Sequence, residues 1–273
     1  MKISTASPDF KRFADLAEVD LRYLSYGKVV SALKVLALIE RFRKPGEILL
    51  DIGCGAGGLS QLLDDFIGVE ISQRAVANAR RINARRNSRF VCGNAETVPL
   101  QDGVADFVLS VNMLEHTHAP ASAIREIYRL TKRQALVVVP CRDCVPFWYD
   151  PINWWRLYRG KAPRNRGSFG YGHINLADRN EWLGLLDQAG FRLLDEFAYD
   201  DSLIGQLEFC AYSFAVPSDE YEDVPVQSLS GKKYRLVSWL HRLAWALDIR
   251  LNSSFSRCFL LEKVAGAEVL DRN

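Results

Sequence analysis

Leu50-Asp51-Ile52-Gly53-Cys54-Gly55-Ala56-Gly57 is the stretch that decides the fold. Glu47 to Ile52 is a short apolar run with Pro45-Gly46 before it and Gly53 after, which suits a strand buried on both faces. It brings one acid, Asp51, and then three glycines spaced two apart into a strand-to-helix turn. Glycine permits such a turn and lets the backbone approach a ligand closely, although the pattern alone also fits a tight turn that binds nothing. Glu70 lies nineteen residues after Asp51, at the end of the next expected strand. A carboxylate there can accept both hydrogen bonds of a ribose diol. Dinucleotide sites share that acid, but their turn reads G-x-G-x-x-G with no acid before it, whereas here G-x-G-x-G follows Asp51 directly.

Outward from this turn, strands and helices alternate. Strands are expected at Ile67 to Ile71, Phe90 to Cys92, Ala105 to Val111 and Ala135 to Val139, with helical spacing at Gln73 to Asn87 and Ala121 to Thr131. Later come a helix from Asp178 to Ala189, stopped by Gly190, a strand from Phe191 to Phe197 and a last strand from Arg257 to Val264. The pattern predicts a Rossmann-like, doubly wound, mostly parallel seven-stranded sheet, with ligands at the carboxyl ends of its strands. Residues 1–44 read as a helical cap, with Val29, Leu33, Leu36 and Ile39 at helical spacing before the Lys44-Pro45-Gly46 breaker. Residues 45–140 form the expected cofactor-binding core of one domain, and 145–176 and 200–254 are insertions.

A chain of 273 residues can bury one substantial core. Lys and Arg number 35 against 33 Asp and Glu, a net charge of +2 that gives no argument for a nucleic-acid partner. Arg80, Arg81, Arg85, Arg86 and Arg89 form a local cluster that a solvated helix face also explains. Six scattered cysteines, with Cys92 and Cys258 inside expected strands as small hydrophobes, suit a reducing, cytoplasmic compartment. No signal-like amino terminus and no run of about 18 uncharged apolar residues is present, so neither secretion nor a membrane span is expected.

With these residues in view, the chain resembles the class I S-adenosylmethionine-dependent methyltransferases, specifically the small-molecule branch that includes the ubiquinone-biosynthesis enzymes. The resemblance covers about residues 45 to 140, with weaker echoes at Gly172-His173 and Gln188-Ala189-Gly190-Phe191. It implies that Gly53, Gly55 and Gly57 wrap the methionine portion and ribose of S-adenosylmethionine, that Asp51 anchors its amino end and that Glu70, followed by Ile71, holds the ribose diol. Gly93-Asn94-Ala95-Glu96 then places Asn94 and Ala95 beside the adenine. The Asn94 amide carbonyl can still take the adenine amino group where an aspartate is more frequent. Asn94 serving only its own turn is the rival reading. Ser110-Val111-Asn112-Met113-Leu114-Glu115-His116 carries the family's Leu-Glu-His phrase. An upstream acid joins that Glu and His as a proposed magnesium site in quinone-type O-methyltransferases. Here Asn112 stands in its place, so no metal is expected and Asn112 is grouped with the cofactor contacts. The resemblance also implies a terminal antiparallel strand and a small-molecule acceptor methylated at oxygen.

Methyl transfer to a hydroxyl needs alignment and removal of a proton, and histidine is the natural base at neutral pH. His173, in Gly170-Tyr171-Gly172-His173, is the first candidate catalytic residue and His116 the second, with His118 nearby. Phe147, Trp148, Tyr149, Trp154, Trp155 and Tyr158, interleaved with Arg156, Arg159, Lys161, Arg164 and Arg166, form either an acceptor wall or extra core. The cations favour an anionic or aromatic acceptor. Lys232 to Leu251 is amphipathic and carries Trp239 and Trp245, which suits a packed helix, a dimer contact or a peripheral membrane contact. Cys141-Arg142-Asp143-Cys144 has no second pair at ligand spacing and reads as ordinary loop cysteines.

Overall fold

The computed structural model describes residues 26–61, 63–84, 87–144, 155–156, 158–161, 173–199, 203, 206–207 and 254–264. Two compact units divide the chain: Met1–Val35 with Cys144–His173 and Ala198–Phe255, and Leu36–Asp143 with Ile174–Phe197 and Ser256–Asn273. The second unit carries the sheet.

Helix α1 (Tyr26–Phe42) ends where the sequence breaks it: the Arg43 amide donates to Ile39, and Gly46 takes a left-handed φ of 80°. Strand β1 (Leu49–Ile52) is buried at every position, with Leu49, Leu50 and Ile52 giving the apolar surface of a strand covered on both faces and Asp51 buried among them. There follow β2 (Phe66–Glu70), α2 (Gln73–Ile82), β3 (Ser88–Cys92), β4 (Ala105–Val111), α3 (Pro120–Leu130), β5 (Thr131–Pro140), α4 (Arg179–Gln188), β6 (Phe191–Ala198) and β7 (Ser256–Lys263). The sheet runs β3-β2-β1-β4-β5-β7-β6. Strands β3, β2, β1, β4 and β5 pair in parallel, and β7 returns antiparallel to β5 from Gln134↔Glu262 to Pro140↔Ser256. The expected seven-stranded, mostly parallel sheet with an antiparallel terminal strand is therefore present.

Because β2 and β4 flank β1, successive crossovers leave the middle of the sheet in opposite directions. Ligands of such sheets bind in the crevice at that switch point, at the strands' carboxyl ends. The glycine turn after β1 stands there.

Packing follows the apolar periodicity. Helix α3 starts with Pro120 at its first turn, where no amide partner is needed, and buries Ala123, Ile124, Ile127 and Leu130. Helix α4 opens with the Glu181 carboxylate accepting from the Asp178 amide at 2.6 Å, buries Trp182 and Leu186, and is followed by Gly190 at φ 99°. The Trp182 indole N–H donates to the Pro140 carbonyl at 2.9 Å, which ties α4 to the end of β5.

Two boundaries depart from the expectation by four residues or more, the others by one or two. Helix α2 stops at Ile82, five residues early, where Asn83 leaves helical geometry at φ −107°, ψ 16° and its side-chain amide donates to the Ala79 carbonyl at 2.9 Å. Strand β5 begins four residues early at Thr131: its polar opening, Thr131-Lys132-Arg133-Gln134, looks like loop in sequence but continues the ladder to β4. Cys92 also differs. It closes β3 as an exposed thiol rather than a buried one, whereas Cys258 is buried as expected. The helix expected at Lys232 to Leu251, most of both insertions and the cap before residue 26 lie outside the described residues.

Candidate functional site

Three left-handed glycines shape the bend after β1: Gly53 at φ 86°, Gly55 at φ 53° and Gly57 at φ 75°. The bend is fastened to β2, since the amides of Gly53 and Cys54 both donate to the Val69 carbonyl, at 2.8 and 3.1 Å. The three glycines do different work. A Cβ on Gly53 would sit 2.5 Å from Met113 Cγ, and one on Gly57 would sit 3.0 Å from both Ala79 and Phe90, so these two let neighbouring segments close in. A Cβ on Gly55 would meet nothing within 4 Å, so its face of the bend opens on free space.

Glu70 reaches this bend from the tip of β2. One carboxylate oxygen accepts the Gly55 amide at 3.1 Å and the other accepts the Ser72 amide at 2.9 Å. Its orientation is fixed between the turn and the start of α2, and each oxygen keeps a further lone pair for a ligand. Asp51 is 5% exposed, and its carboxyl is pushed up to about 7, mainly by burial and secondarily by the charge of Glu70. Two acids that share one site thus divide into an anion at the rim and a group that ionises near neutrality below it. Ile71, just past Glu70, is 69% exposed at the same sheet edge. Burial also drives the Cys54 thiol far above its ordinary range, so it is no nucleophile.

Asn94 and Ala95 lie in the turn after β3. The Asn94 side-chain carbonyl accepts the Glu96 amide at 3.0 Å within its own turn, and that oxygen has a second lone pair. Two acids that sequence reasoning did not single out hold this segment in place. Glu96 accepts the Ala119 amide at 2.9 Å, and Glu126 accepts the Val98 amide at 2.7 Å while pairing with Arg129. Their signal in the sequence is faint, since carboxylates bound to backbone amides leave no periodicity.

At the end of β4, Asn112 adopts φ 48°, a left-handed conformation that asparagine tolerates better than most residues, and its amide donates to Val138. The turn brings Met113 against Gly53 and starts the short helix Leu114–His116. Glu115 is buried, and that burial pushes its carboxyl up to about 8. Its backbone carbonyl accepts the amides of Ile174 and Asn175 at 2.9 and 3.0 Å. The His116 side chain is 41% exposed, with Nε2 3.9 Å from the Glu115 carboxylate. His118 is exposed. Asp51, Gly53, Gly55, Gly57 and Glu70 thus come together, and Asn112 and Met113 border them. His173 belongs to the other unit, where its ring stacks on Phe255 at 6.4 Å between centroids. In that unit Trp155 and Tyr158 stack on each other and are exposed, so neither of these two aromatics is core.

The contrast among the glycines gives an expected result. Gly53→Ala places a methyl group into Met113 at a positive φ and should cost about 2–4 kcal/mol, against about 1 kcal/mol for Gly55→Ala, which meets only the left-handed penalty. Thermal unfolding reads the difference as several degrees. Equal melting temperatures for the two variants would remove Met113 from the explanation.

Residues 50–139 match the family model described as "Methyltransferase domain". Among curated proteins, malonyl-[acyl-carrier protein] O-methyltransferase of Marinomonas sp. (strain MWYL1) is 29% identical over 135 residues, 47% of this chain and 49% of that protein. The chain spans about half or less of the length of the curated relatives it matches. Among solved structures, geranyl diphosphate C-methyltransferase from Streptomyces coelicolor A3(2) superposes with a TM-score of 0.58 at 16% identity, covering 96% of this chain and all of that one. A [4+2]-cyclase superposes with a TM-score of 0.55 at 20% identity, covering 90% of this chain and 85% of that one. At such identities these structures speak for the fold alone.

Proposed function

We propose that this chain, which carries a class I S-adenosylmethionine-dependent methyltransferase domain, binds S-adenosylmethionine across the glycine bend and transfers its methyl group to a small-molecule acceptor, at oxygen. The observation that carries the reading is the Glu70 carboxylate anchored on the Gly55 amide beside a face that is open above Gly55. The donor set fits the ligand. A rim carboxylate suits a sugar diol, a second acid suits an ammonium group, and a bend stripped of side chains admits a flat, extended nucleoside. The bound sulfonium supplies an activated methyl group. The protein's part is to hold the acceptor in line with it and to remove the acceptor's proton.

In this reading Gly53, Gly55 and Gly57 form the floor, Asp51 holds the amino end, Glu70 the ribose, Ile71 covers the adenine, and Asn94, Ala95 and Asn112 complete the cofactor's surround. No metal enters, because Asn112 replaces the acid of a proposed magnesium site. Acceptor chemistry differs among the proteins this chain resembles: one is named for an oxygen acceptor and another for carbon. Oxygen rests on the likeness to the quinone-pathway branch and is the finer part of the proposal. The superposed [4+2]-cyclase is a reminder that the fold does not dictate the reaction.

Calorimetry with S-adenosylhomocysteine, followed by a tritiated-methyl assay against a fractionated cell extract, tests the reading in two stages. No binding heat would overturn it at the cofactor. Binding with no labelled product in any fraction would make the chain a cofactor-binding protein without methyl transfer.

The Asp51 carboxyl supplies a pH test. With its pKa raised to about 7, the acid is largely protonated in the free protein below neutrality, and a cationic amino group must drive the proton off. Affinity should therefore fall about tenfold per pH unit below 7, with nearly one proton released on binding at pH 6, and should fall again above pH 8 as the ligand's own amino group loses its proton. Asp51→Asn should bind weakly and without that slope. Equal dissociation constants for the wild type at pH 6 and pH 8 would detach Asp51 from the amino end.

A further inference from the structure

The connection from β3 to β4, residues 93–104, has no helix and no strand beyond a single bridge between Asn94 and Thr97, so its backbone must find partners elsewhere. It finds several on α3. Glu126 accepts the Val98 amide at 2.7 Å, and Arg129, paired with Glu126, donates to the Val98 and Leu100 carbonyls at 3.0 and 2.8 Å. Those contacts clamp the second half of the connection. The first half, which carries Asn94 and Ala95, is fastened by Glu96, whose carboxylate accepts the Ala119 amide at 2.9 Å. Ala119 precedes the first turn of α3 and makes no side-chain cap. In a capping box the amide at this position is taken by a glutamate three residues further on. Here that place holds Ser122, and a glutamate twenty-three residues upstream takes the amide instead. The amide of Glu96 itself donates to Asn94 Oδ1. One residue thus joins the Asn94 turn, through its amide, to the start of α3, through its carboxylate.

We infer that Glu96 is a positioning residue for the cofactor: by tethering the Asn94 turn to α3 it fixes the carbonyl that reads the adenine amino group, and so sets the preference for adenine. The inference rests on the proposed binding of S-adenosylmethionine and adds the device that orders its adenine end. Asn94 is exposed, and ordering an exposed side chain at the moment of binding subtracts from affinity. The Glu96 tether orders the turn beforehand. Asn94 Oδ1 keeps one lone pair after accepting the Glu96 amide, enough for one donor. A fixed acceptor welcomes the amino group of adenine and rejects a base with a carbonyl oxygen there, because two acceptors are then left facing each other. A loosely held turn can move away from the mismatch and discriminates less.

Calorimetry of the full chain with S-adenosylhomocysteine and with S-inosylhomocysteine, which carries a carbonyl oxygen in place of the amino group, tests it. The wild type should prefer the adenine compound by roughly thirtyfold. Glu96→Ala should bind S-adenosylhomocysteine about tenfold more weakly, with the preference reduced to about threefold. Glu96→Gln keeps an accepting oxygen for the Ala119 amide and should restore both values to within about threefold of the wild type. Glu96→Ala also leaves α3 uncapped, so the double variant Glu96→Ala, Ser122→Glu supplies the cap from within the helix while leaving the Asn94 turn untethered. Its melting temperature should recover and its adenine preference should not. A Glu96→Ala protein with the wild-type preference, or a double variant that regains it, overturns the inference and leaves the cofactor reading standing. A wild type that binds both compounds equally overturns it as well, since no adenine contact is then there to position. A wild type that binds neither overturns the cofactor reading and the inference with it.

Discussion

Glu70→Ala is expected to weaken the binding of S-adenosylmethionine and of its demethylated product by two to three orders of magnitude. The side chain is already oriented by the Gly55 and Ser72 amides, at 3.1 and 2.9 Å, so almost no ordering is left for the ligand to induce. Two sugar hydroxyls donating to an ionised carboxylate form charge-assisted bonds worth about 1.5–3 kcal/mol each, and losing both costs roughly 3–4 kcal/mol after water has taken their place. Glu70→Gln should fall between, because an amide offers one accepting oxygen where the carboxylate offers two. The fold should survive either change. The Ser72 amide is exposed and can turn to water, so about 1 kcal/mol of stability is at stake. Calorimetry and a melting curve on the same samples separate the two effects. A folded Glu70→Ala protein that binds within threefold of the wild type would end the ribose assignment.

How this acid could be found from sequence, while other parts of the site could not, follows from the kind of signal each leaves. Asp51, the glycines and Glu70 sit at strand ends fixed by apolar runs, so their spacing alone places them at one bend. The division of labour among the glycines was not legible, because it depends on Met113, sixty residues after Gly53, folding back through the left-handed Asn112. Asn94 shows a different limit: the hydrogen bond from the Glu96 amide to its side-chain carbonyl is a contact that spacing alone does not report. The early stop of α2 has the same origin. Ala84 is a good helix former, yet Asn83 caps the helix before it. In these cases the missing information is a contact between segments that sequence spacing does not report.

The second large effect is expected at the histidines. If the acceptor atom is a hydroxyl oxygen, removing the base should lower kcat by about 10²–10⁴ while leaving the cofactor's dissociation constant unchanged, since the base touches only the acceptor's proton. We propose His173 for this role, with His116 as the alternative. His173 has its ring held against Phe255, a rigid setting suited to presenting a ring nitrogen. His116 lies on the short helix after β4, whose neighbour Glu115 is largely uncharged at neutral pH with its carboxyl pushed up to about 8. That carboxyl therefore supplies little of the negative charge that would stabilise an imidazolium in a proton-transfer step. His173→Ala should show that full loss while keeping a measurable residual rate, and His116→Ala should cost much less. The pH–rate profile adds the readout that a structural role would not move: the wild-type rate should climb along an acid limb that His173→Ala loses. A fully active His173→Ala enzyme refutes the assignment, and a wild-type profile with no acid limb would shift the acceptor from a hydroxyl to an atom that needs no base.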